Sequence, residues 1–455
     1  MRLIARYARE SETHFEIVTV WDEKVDREEV SKDDPRVRTL SKTHPAAVWF
    51  ERKMHDDFGI VIEDAFDNRP LVAQERFPEK TYPMRKVFQE RSIPYANYKP
   101  YKYEAIGGDG VFEVAVGPIH AGIIEPGHFQ FSQAGEDMLH QEVRHFYKYR
   151  AIEKMLEGKA LFEAKPIIER ISGNESVAYQ TAWRDIVLQA GRRELPEANR
   201  KYHALLLELE RTIHHLTDLG FIPNDAGFGA ALAFGSKLAE DARRQLHLLT
   251  RHRFGFGAID FEAHTVDAAA MIAYLDVLEE AIGFFETWVT DIPSLWDRFD
   301  GTGILKKQQA LKHDTIGVVA RASGLSLDRR DEPFYHAHGF VMQTQTSGDV
   351  SARFRVRLDE VKNTLEMMRN FMIESTYAVE PGRIEDGEYF GFSESSIGEL
   401  FMSIELRGGV IERFFVRDPS FMNWQALHLM MPGNIIADFP LINKSCDLSY
   451  AGNDL

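Results

Sequence analysis

The spacing of hydrophobic and polar residues differs between the first quarter of the chain and the rest. Over residues 1–105, short runs such as HFEIVTV and AAVWF predict β-strands, and segments rich in charge and proline separate them. Alternation returns near residue 111 in VFEVAVGPIHAGIIEP and continues in FQFSQAG, which predicts a strand or hairpin that enters a buried site. We therefore expect a small α/β domain over residues 1–105 and a larger domain over residues 106–455.

Helical periodicity dominates the larger domain. Apolar residues recur every three or four positions in ANRKYHALLLELERTIHHLTDLG, DAAAMIAYLDVLEEAIGFFETWV and VSARFRVRLDEVKNTLEMMRNFMI, as expected for helices of a bundle. The first should end at Gly220, because glycine often follows the last helical turn. The later segment FMSIELRGGVIERFF predicts a β-hairpin that turns at Gly408 and Gly409. The expected fold class is α+β, a mainly helical bundle with peripheral hairpins.

Charge and hydropathy limit the partners. The sequence has 54 Lys and Arg against 71 Asp and Glu, a net charge of −17, and an acidic surface repels nucleic acid and anionic lipid. No segment reaches the roughly 18 uninterrupted apolar residues of a membrane helix. We expect no nucleic-acid partner and no transmembrane segment, so any membrane association runs through partner subunits.

A single cysteine restricts metal chemistry. Cys446 alone excludes an internal disulfide, and it excludes an iron–sulfur cluster or a cysteine-rich metal site built from this chain. We expect Cys446 to be a small buried hydrophobic residue. A di-iron carboxylate bundle would need two Glu-x-x-His motifs, and only Glu142 with His145 forms one.

Five stretches, in a fixed order, carry a family resemblance over residues 45–455. They resemble the large subunit of energy-converting, formate-hydrogenlyase-type nickel–iron hydrogenases and the related 49 kDa subunit of respiratory complex I. The first is similar to the end of the complex I 30 kDa subunit, which the hydrogenlyase large subunits carry fused at their N-terminus. The stretches are WFERKMHDDFGI (49–60, followed by RPL and YPMRK), GPIHAGIIEP (117–126), ELERTIHHLTDLG (208–220), GVVARASGLSLDRR (317–330) and GDVSARFRVRLDE (348–360).

The resemblance also shows what is missing. The hydrogenases bind nickel and iron through four thiolates in two Cys-x-x-Cys pairs. ERISGNES (169–176) and DLSYAGNDL (447–455) match those motifs, with Ser172, Glu175, Ser449 and Gly452 at the four ligand positions. Serine and glycine cannot replace soft thiolates. We expect a chain that binds no nickel or iron of its own and is not itself a functional hydrogenase.

Two residues are candidates for a catalytic role in a chain without the metal ligands. His120 matches the histidine that a quinone approaches in complex I, so the resemblance implies a proton or hydrogen-bond donor to a carbonyl, with a structural histidine as the alternative. The tyrosine that faces it in that family should fall around residues 162–165, where there is none. Arg407 matches the arginine over the hydrogenase metal pair, and we expect it to pair with Glu175, with a solvated arginine as the alternative.

The resemblance predicts that Ser172, Glu175, Arg407 and Ser449 surround one cavity. Charged residues of the other matched stretches form either a proton path or, as we favour, a buried salt-bridge network. These residues are Glu210, His215, Arg321, Asp328 and Arg330.

The implied function is that of a large catalytic-type subunit in a membrane-associated, hydrogenase-related or complex-I-like oxidoreductase. It would lie peripherally on the cytoplasmic side, between an iron–sulfur small subunit and antiporter-like membrane subunits. It would bind no cofactor itself and would couple electron transfer, with a quinone as the candidate acceptor, to ion translocation. The alternative is a non-redox structural or coupling subunit whose cavity is vestigial.

Overall fold

A computed structural model describes residues 1–90, 92–120, 124–373 and 377–455. Helices and strands are mixed, which confirms the α+β class. The N-terminal segment contains an antiparallel sheet, one long helix and a short parallel strand pair. Its elements are β1 (Leu3–Glu10), β2 (His14–Trp21), β3 (Val25–Ser31), β4 (Arg36–Arg38), α1 (Ala47–Phe58) and β5 (Val61–Glu63).

The prediction of a strand at AAVWF was wrong, since most of this run lies in α1. Phe50, Met54 and Phe58 are all buried and recur every four residues, the period of a helix face. Only a window longer than the five-residue run reveals that period.

The predicted strands after residue 110 are confirmed and form a three-stranded antiparallel sheet. The strands are β6 (Val111–Val116), β7 (His128–Ala134) and β8 (Asp137–Arg144). The chain segment that connects β6 to β7 carries His120.

The helical bundle follows, with α5 and α6 as its most extensive helix pair. No helix in the described ranges is both long and apolar enough to cross a membrane. The elements are α2 (Ile152–Leu156), α3 (Leu161–Ile168), α4 (Ser176–Ala190), α5 (Glu197–Asp225), α6 (Gly229–Thr250), β9 (Glu262–Ala263), α7 (Ala268–Thr290), α8 (Pro293–Phe299), α9 (Lys307–Lys312), α10 (Gly317–Ala322), α11 (Pro333–Ala337), α12 (Val350–Asn370) and β10 (Tyr377–Ala378).

Gly220 does not end its helix, because α5 continues to Asp225. A Cβ atom at Gly220 would lie 2.8 Å from the carbonyl oxygen of Ala231 and 3.1 Å from the Cα of Gly235. The glycine therefore permits a close crossing of α5 and α6, a tertiary requirement that looks like a stop signal in the sequence.

The C-terminal part forms a sheet that packs on α4, followed by short helices. The hairpin predicted at Gly408 and Gly409 is confirmed as the β12–β13 turn. The elements are β11 (Gly387–Glu394), β12 (Glu399–Arg407), β13 (Val410–Arg417), α13 (Pro419–Trp424), α14 (Phe439–Cys446) and α15 (Tyr450–Asp454).

The N-terminal segment shares its core with the rest of the chain. The rings of Tyr7 and Phe415 stack 4.3 Å apart, and Arg417 Nε donates to the carbonyl of Ile4 at 3.1 Å. One continuous hydrophobic cluster includes residues of both predicted domains. The boundary between residues 105 and 106 stays a prediction.

Candidate functional site

The two segments that match the hydrogenase metal motifs meet at the N-terminus of α4. The Oγ atoms of Ser172 and Ser449 lie 3.1 Å apart and both residues are buried. Ser449 is the N-cap of α15, and its Oγ accepts the N–H of Gly452 at 2.9 Å. Three of the four predicted ligand positions therefore contact one another directly or through one hydrogen bond.

A carboxylate occupies the space beside Gly452. A Cβ atom at Gly452 would lie 1.9 Å from Asp418 Oδ2. Tyr179 donates its hydroxyl to the same oxygen at 2.7 Å, and the N–H of Ser420 donates to Oδ1 at 2.8 Å. Asp418 and Tyr179 were missed by sequence reasoning, although an Asp before Pro419 is a usual helix N-cap signal.

These donors do not fit a nickel–iron centre. The side chains at the site offer hydroxyl and carboxylate oxygens in place of the thiolates that such a centre uses. Among the described residues, no three His, Cys, Asp or Glu side chains are placed to hold a metal ion together.

Glu175 is a fully buried acid at this site. It is 0% exposed, and neither carboxylate oxygen has a hydrogen-bond partner within the described part of the chain. Burial, followed by the charge of Asp418, raises the pKa of Glu175 well above its ordinary value. Glu175 is therefore held as a neutral acid.

Glu210 of α5 caps the helix that follows Glu175. It accepts the N–H groups of Val177 at 2.7 Å and Ala178 at 3.0 Å, in the first turn of α4. Burial raises the pKa of Glu210 to about 8 in spite of these two hydrogen bonds. Glu210 therefore contributes to the site by orienting the helix that carries Tyr179.

The prediction that Arg407 faces Glu175 was wrong. Arg407 is the last residue of β12, its side chain is 61% exposed, and it pairs with Glu405 at 3.3 Å. The side chains that lie beside Glu175 are those of Asp418 and of Ser395, which is in the turn before β12. Because β12 is nine residues long, the two ends are about 26 Å apart at roughly 3.3 Å per residue.

His120 lies near the emptied site, but its Nε2 is already engaged. Nε2 is 2.7 Å from the carbonyl oxygen of Gly127, and a carbonyl only accepts, so Nε2 carries the proton. Nδ1 is then the ring nitrogen left for a ligand. The nitrogen expected to donate to a ligand therefore already contacts the backbone, and a role of His120 as a donor stays a prediction.

Two neighbours of His120 were not anticipated from the sequence. A Cβ atom at Gly127 would lie 2.6 Å from Tyr450 Cε1 and 2.9 Å from His145 Nδ1, so both rings pack against the residue that His120 contacts. Tyr450 of the C-terminal motif therefore lies close to His120, whereas the resemblance predicts the family's tyrosine around residues 162–165. Burial raises the pKa of Tyr450 to about 12, so its hydroxyl keeps its proton.

His145 is enclosed by aromatic rings. Its ring centroid lies 4.2 Å from that of Trp424 and 5.3 Å from that of Tyr450, with Trp49 and Phe129 also in contact. Neither ring nitrogen has a partner in the described ranges. Burial, then the neighbouring His120, lowers the pKa of His145 to about 3, which keeps it neutral.

The structure gives the positions of Glu142 and Cys446, the candidates of the two other metal alternatives. Glu142 lies in strand β8 and pairs with Arg69 at 2.7 Å, so it and His145 do not share a helix face. Cys446 is buried at the end of α14, with its Sγ 3.7 Å from Met430 Sδ, as expected for a small hydrophobic residue.

Four of the five predicted network residues belong to one buried cluster of charges. Arg321 contacts Glu360 at 2.7 Å, Glu394 at 2.9 Å and Asp328 at 3.1 Å. Arg330 pairs with Asp328 at 2.7 Å.

His215 joins the same network through Glu360, at 2.8 Å from its Nε2. Burial lowers the pKa of His215 to about 4, although Glu360 opposes that shift. Glu210 lies outside the network, at the N-terminus of α4. A role of these charges in moving protons stays a prediction.

Two known protein families match different parts of the chain. Residues 249–375 and 366–454 match the respiratory-chain NADH dehydrogenase 49 kDa subunit, and residues 4–93 match the 30 kDa subunit of the same enzyme. The order of the two matches is the one expected from the sequence.

Similar proteins come from hydrogenases and from respiratory dehydrogenases. The chain is 28% identical to formate hydrogenlyase subunit 5 of Escherichia coli, over 94% of this chain and 78% of that protein. It is 27% identical to hydrogenase-4 component G of the same organism, over 93% and 77%. It is 28% identical to one subunit of the F(420)H(2) dehydrogenase of Methanosarcina mazei, over 73% and 95%.

A solved structure shares the fold. A chain of the membrane-bound sulfane sulfur reductase, an archaeal respiratory membrane complex, superposes with a TM-score of 0.71 at 20% identity, over 76% of this chain and 99% of that one. The sequence motifs, the two family matches and the shared fold agree. The chain belongs to the superfamily of energy-converting hydrogenase large subunits and complex I 49 kDa subunits, as a member that lacks the cysteine ligands of the metal site and carries a 30 kDa-subunit-like N-terminal segment.

Proposed function

We propose that this chain is the large, hydrogenase-like subunit of a membrane-associated oxidoreductase complex and works without a nickel–iron centre. The observation that carries the proposal is the direct contact of Ser172 and Ser449, whose hydroxyls lie 3.1 Å apart at two former ligand positions. Electrons would come from iron–sulfur clusters of a small partner subunit, and antiporter-like membrane partners would move the ion. The chain would lie on the cytoplasmic side and link the two events.

A quinone-like acceptor is proposed to bind between His120 and Tyr450. Because Nε2 of His120 donates to Gly127, its Nδ1 is the nitrogen left to accept a hydrogen bond, as from a hydroquinone hydroxyl. Asn443 donates to the Tyr450 hydroxyl at 3.4 Å, which leaves the phenolic proton available to a carbonyl oxygen. The pair could thus hold the oxidised and the reduced head group in turn.

Quinone-dependent turnover of the purified complex tests this role. His120→Ala should abolish turnover while assembly stays intact, and His120→Gln should retain part of it because an amide still forms hydrogen bonds. His264→Ala is the control, a half-exposed histidine in the loop before α7. Normal turnover of both His120 variants would contradict the proposal.

Metal analysis tests the other half of the proposal. The isolated chain should contain neither nickel nor iron in stoichiometric amount and should show no hydrogen uptake, because its site offers oxygen donors. Stoichiometric nickel would contradict the proposal.

The non-redox alternative has one observation in its favour. Asp418 lies against Gly452 so closely that this part of the former site is filled by protein atoms. A complex in which His120 variants assemble and couple normally would make the chain a structural or coupling subunit with a vestigial cavity.

A further inference from the structure

A second cavity, away from the emptied metal site, has an arginine-rich wall. It has a volume of about 610 Å³ and lies between α4, the first half of α5, the end of β11 and the segment that leads into α11. This size is typical of small-molecule sites. The proposed function assigns it no role.

The wall carries a surplus of positive charge. Five arginines line the cavity against four acidic residues, namely Arg184, Arg193, Arg200, Arg329 and Arg330 against Asp185, Glu194, Glu332 and Glu394. Glu394 is in addition engaged by Arg321, outside the wall, at 2.9 Å. The wall therefore has one arginine more than it has acids, and Arg184, Arg329 and Arg330 pair with Asp185, Glu399 and Asp328.

Two of the arginines lie over aromatic rings. The guanidinium carbon of Arg200 lies 4.1 Å from the ring centre of Phe334, and that of Arg329 lies 4.0 Å from that of Phe392. Stacking uses the face of a guanidinium and leaves its N–H edge free to bind oxygen. Arg200 uses its Nη2 in an ion pair with Glu332 at 2.7 Å, and Arg329 uses its Nε in an ion pair with Glu399.

A buried histidine adds a donor that lacks an acceptor. His203 is 1% exposed and lines the cavity. Arg184 Nη1 lies 2.9 Å from His203 Nδ1, and because a guanidinium only donates, Nδ1 accepts and Nε2 carries the proton. Nε2 has no partner within the described ranges. Burial, then Arg184, lowers the pKa of His203 well below its ordinary value, so the ring remains neutral.

We propose that this cavity binds a small, multiply charged anion with phosphate or carboxylate groups. Stacked guanidinium edges and a neutral imidazole N–H together form the donor set that such oxygens need. A bound anion would also lie beside Arg330 and Glu394, which belong both to the cavity wall and to the buried charge network.

Thermal unfolding and calorimetry of the full chain and of the assembled complex, with pyrophosphate and with citrate, test the proposal. Sodium chloride at equal ionic strength is the reference. At least one of the two anions should bind and raise Tm beyond the salt reference. Binding of pyrophosphate alone would identify a phosphate ligand, and binding of citrate alone a carboxylate.

Matched arginine variants locate the binding. Arg200→Gln and Arg329→Gln should each weaken the affinity about tenfold, equivalent to one lost charged hydrogen bond. Arg244→Gln is the control, an exposed α6 arginine that pairs with Glu240 at 3.5 Å and should bind as the unaltered chain does. The proposal is overturned if neither anion exceeds the salt reference or if both cavity variants bind normally. Binding to the isolated chain but not to the complex would also overturn it, since a partner side chain would then fill the cavity.

Discussion

Single residues pack closely at the positions where the resemblance predicts the missing thiolates. Gly452 is at a former ligand position, yet no side chain fits there because Asp418 fills the adjoining space. The hydroxyls of Ser172 and Ser449 contact each other at 3.1 Å. Returning cysteines to these positions would therefore not by itself restore a metal site.

Gly452→Ala should destabilise the chain by about 1–3 kcal/mol, the usual cost of overpacking a core. The new Cβ atom would lie 1.9 Å from Asp418 Oδ2, so the carboxylate or α15 must move. Gly173→Ala is the control, since no atom lies within 4 Å of its Cβ position, and it should change stability by less than about 0.5 kcal/mol. Urea unfolding measures both, and equal midpoints would contradict the prediction.

His145 should make the fold sensitive to acid. Its pKa is about 3 in the folded chain, so between pH 6.5 and 3 the unfolded chain binds one more proton and the fold loses stability as pH falls. Lowering the pH from 7 to 5.5 should cost about 1.3 kcal/mol through this residue. His145→Phe keeps the aromatic packing and should remove that part of the loss.

Denaturant unfolding at pH 7 and pH 5.5 measures this effect. His264→Phe is the control, because its side chain is 45% exposed and should leave the pH dependence unchanged. An unchanged pH dependence in His145→Phe would show that the ring becomes protonated in the folded state.

At the scale of the elements, the period of hydrophobic residues predicts the long helices correctly. The role of a glycine within them depends on how the helices pack. The patterns around residues 197–225, 268–290 and 350–370 all correspond to helices. The mistaken end at Gly220 arose because glycine serves both as a helix stop and as a contact point between helices. Only the crossing of α6 over α5 distinguishes the two uses.

Gly220→Ala should destabilise the chain by about 1–3 kcal/mol, because its Cβ would lie 2.8 Å from the backbone of Ala231. Gly283→Ala, in α7 with no atom within 4 Å, should instead stabilise by about 0.5–1 kcal/mol through helix propensity. Opposite shifts of the urea midpoint are expected. Stabilisation by both substitutions would mean that α5 and α6 do not cross closely.

Across the whole molecule, buried charges connect distant elements. Arg321 of α10 contacts Glu360 of α12, Glu394 of β11 and Asp328 before α11. Although burial opposes ionisation, Arg321 holds the pKa of Glu360 well below its ordinary value. Arg321 contacts all three carboxylates, and Arg330 also pairs with Asp328 at 2.7 Å and lies 3.7 Å from Glu360.

Arg321→Gln should therefore cost about 3–5 kcal/mol, the usual effect of leaving buried charges unpaired. Arg407→Gln, at the exposed end of β12, should stay within about 0.5 kcal/mol. The same unfolding experiment compares them, and a small effect of Arg321→Gln would mean that water or protons compensate the carboxylates.

The sequence by itself determined the class of the fold, the long helices and the absence of four cysteine ligands. Helix period is a local property, and a chain with one cysteine cannot supply four thiolates in any fold. Tertiary structure decided which side chains surround the emptied site. Ser395 lies beside Glu175 in place of Arg407, Asp418 packs against Gly452, and Tyr450 packs beside Gly127, the contact of His120. These partners are separated by tens to hundreds of residues, so the packing of α4 against β11 and the C-terminal helices brings them together, and no local pattern records it.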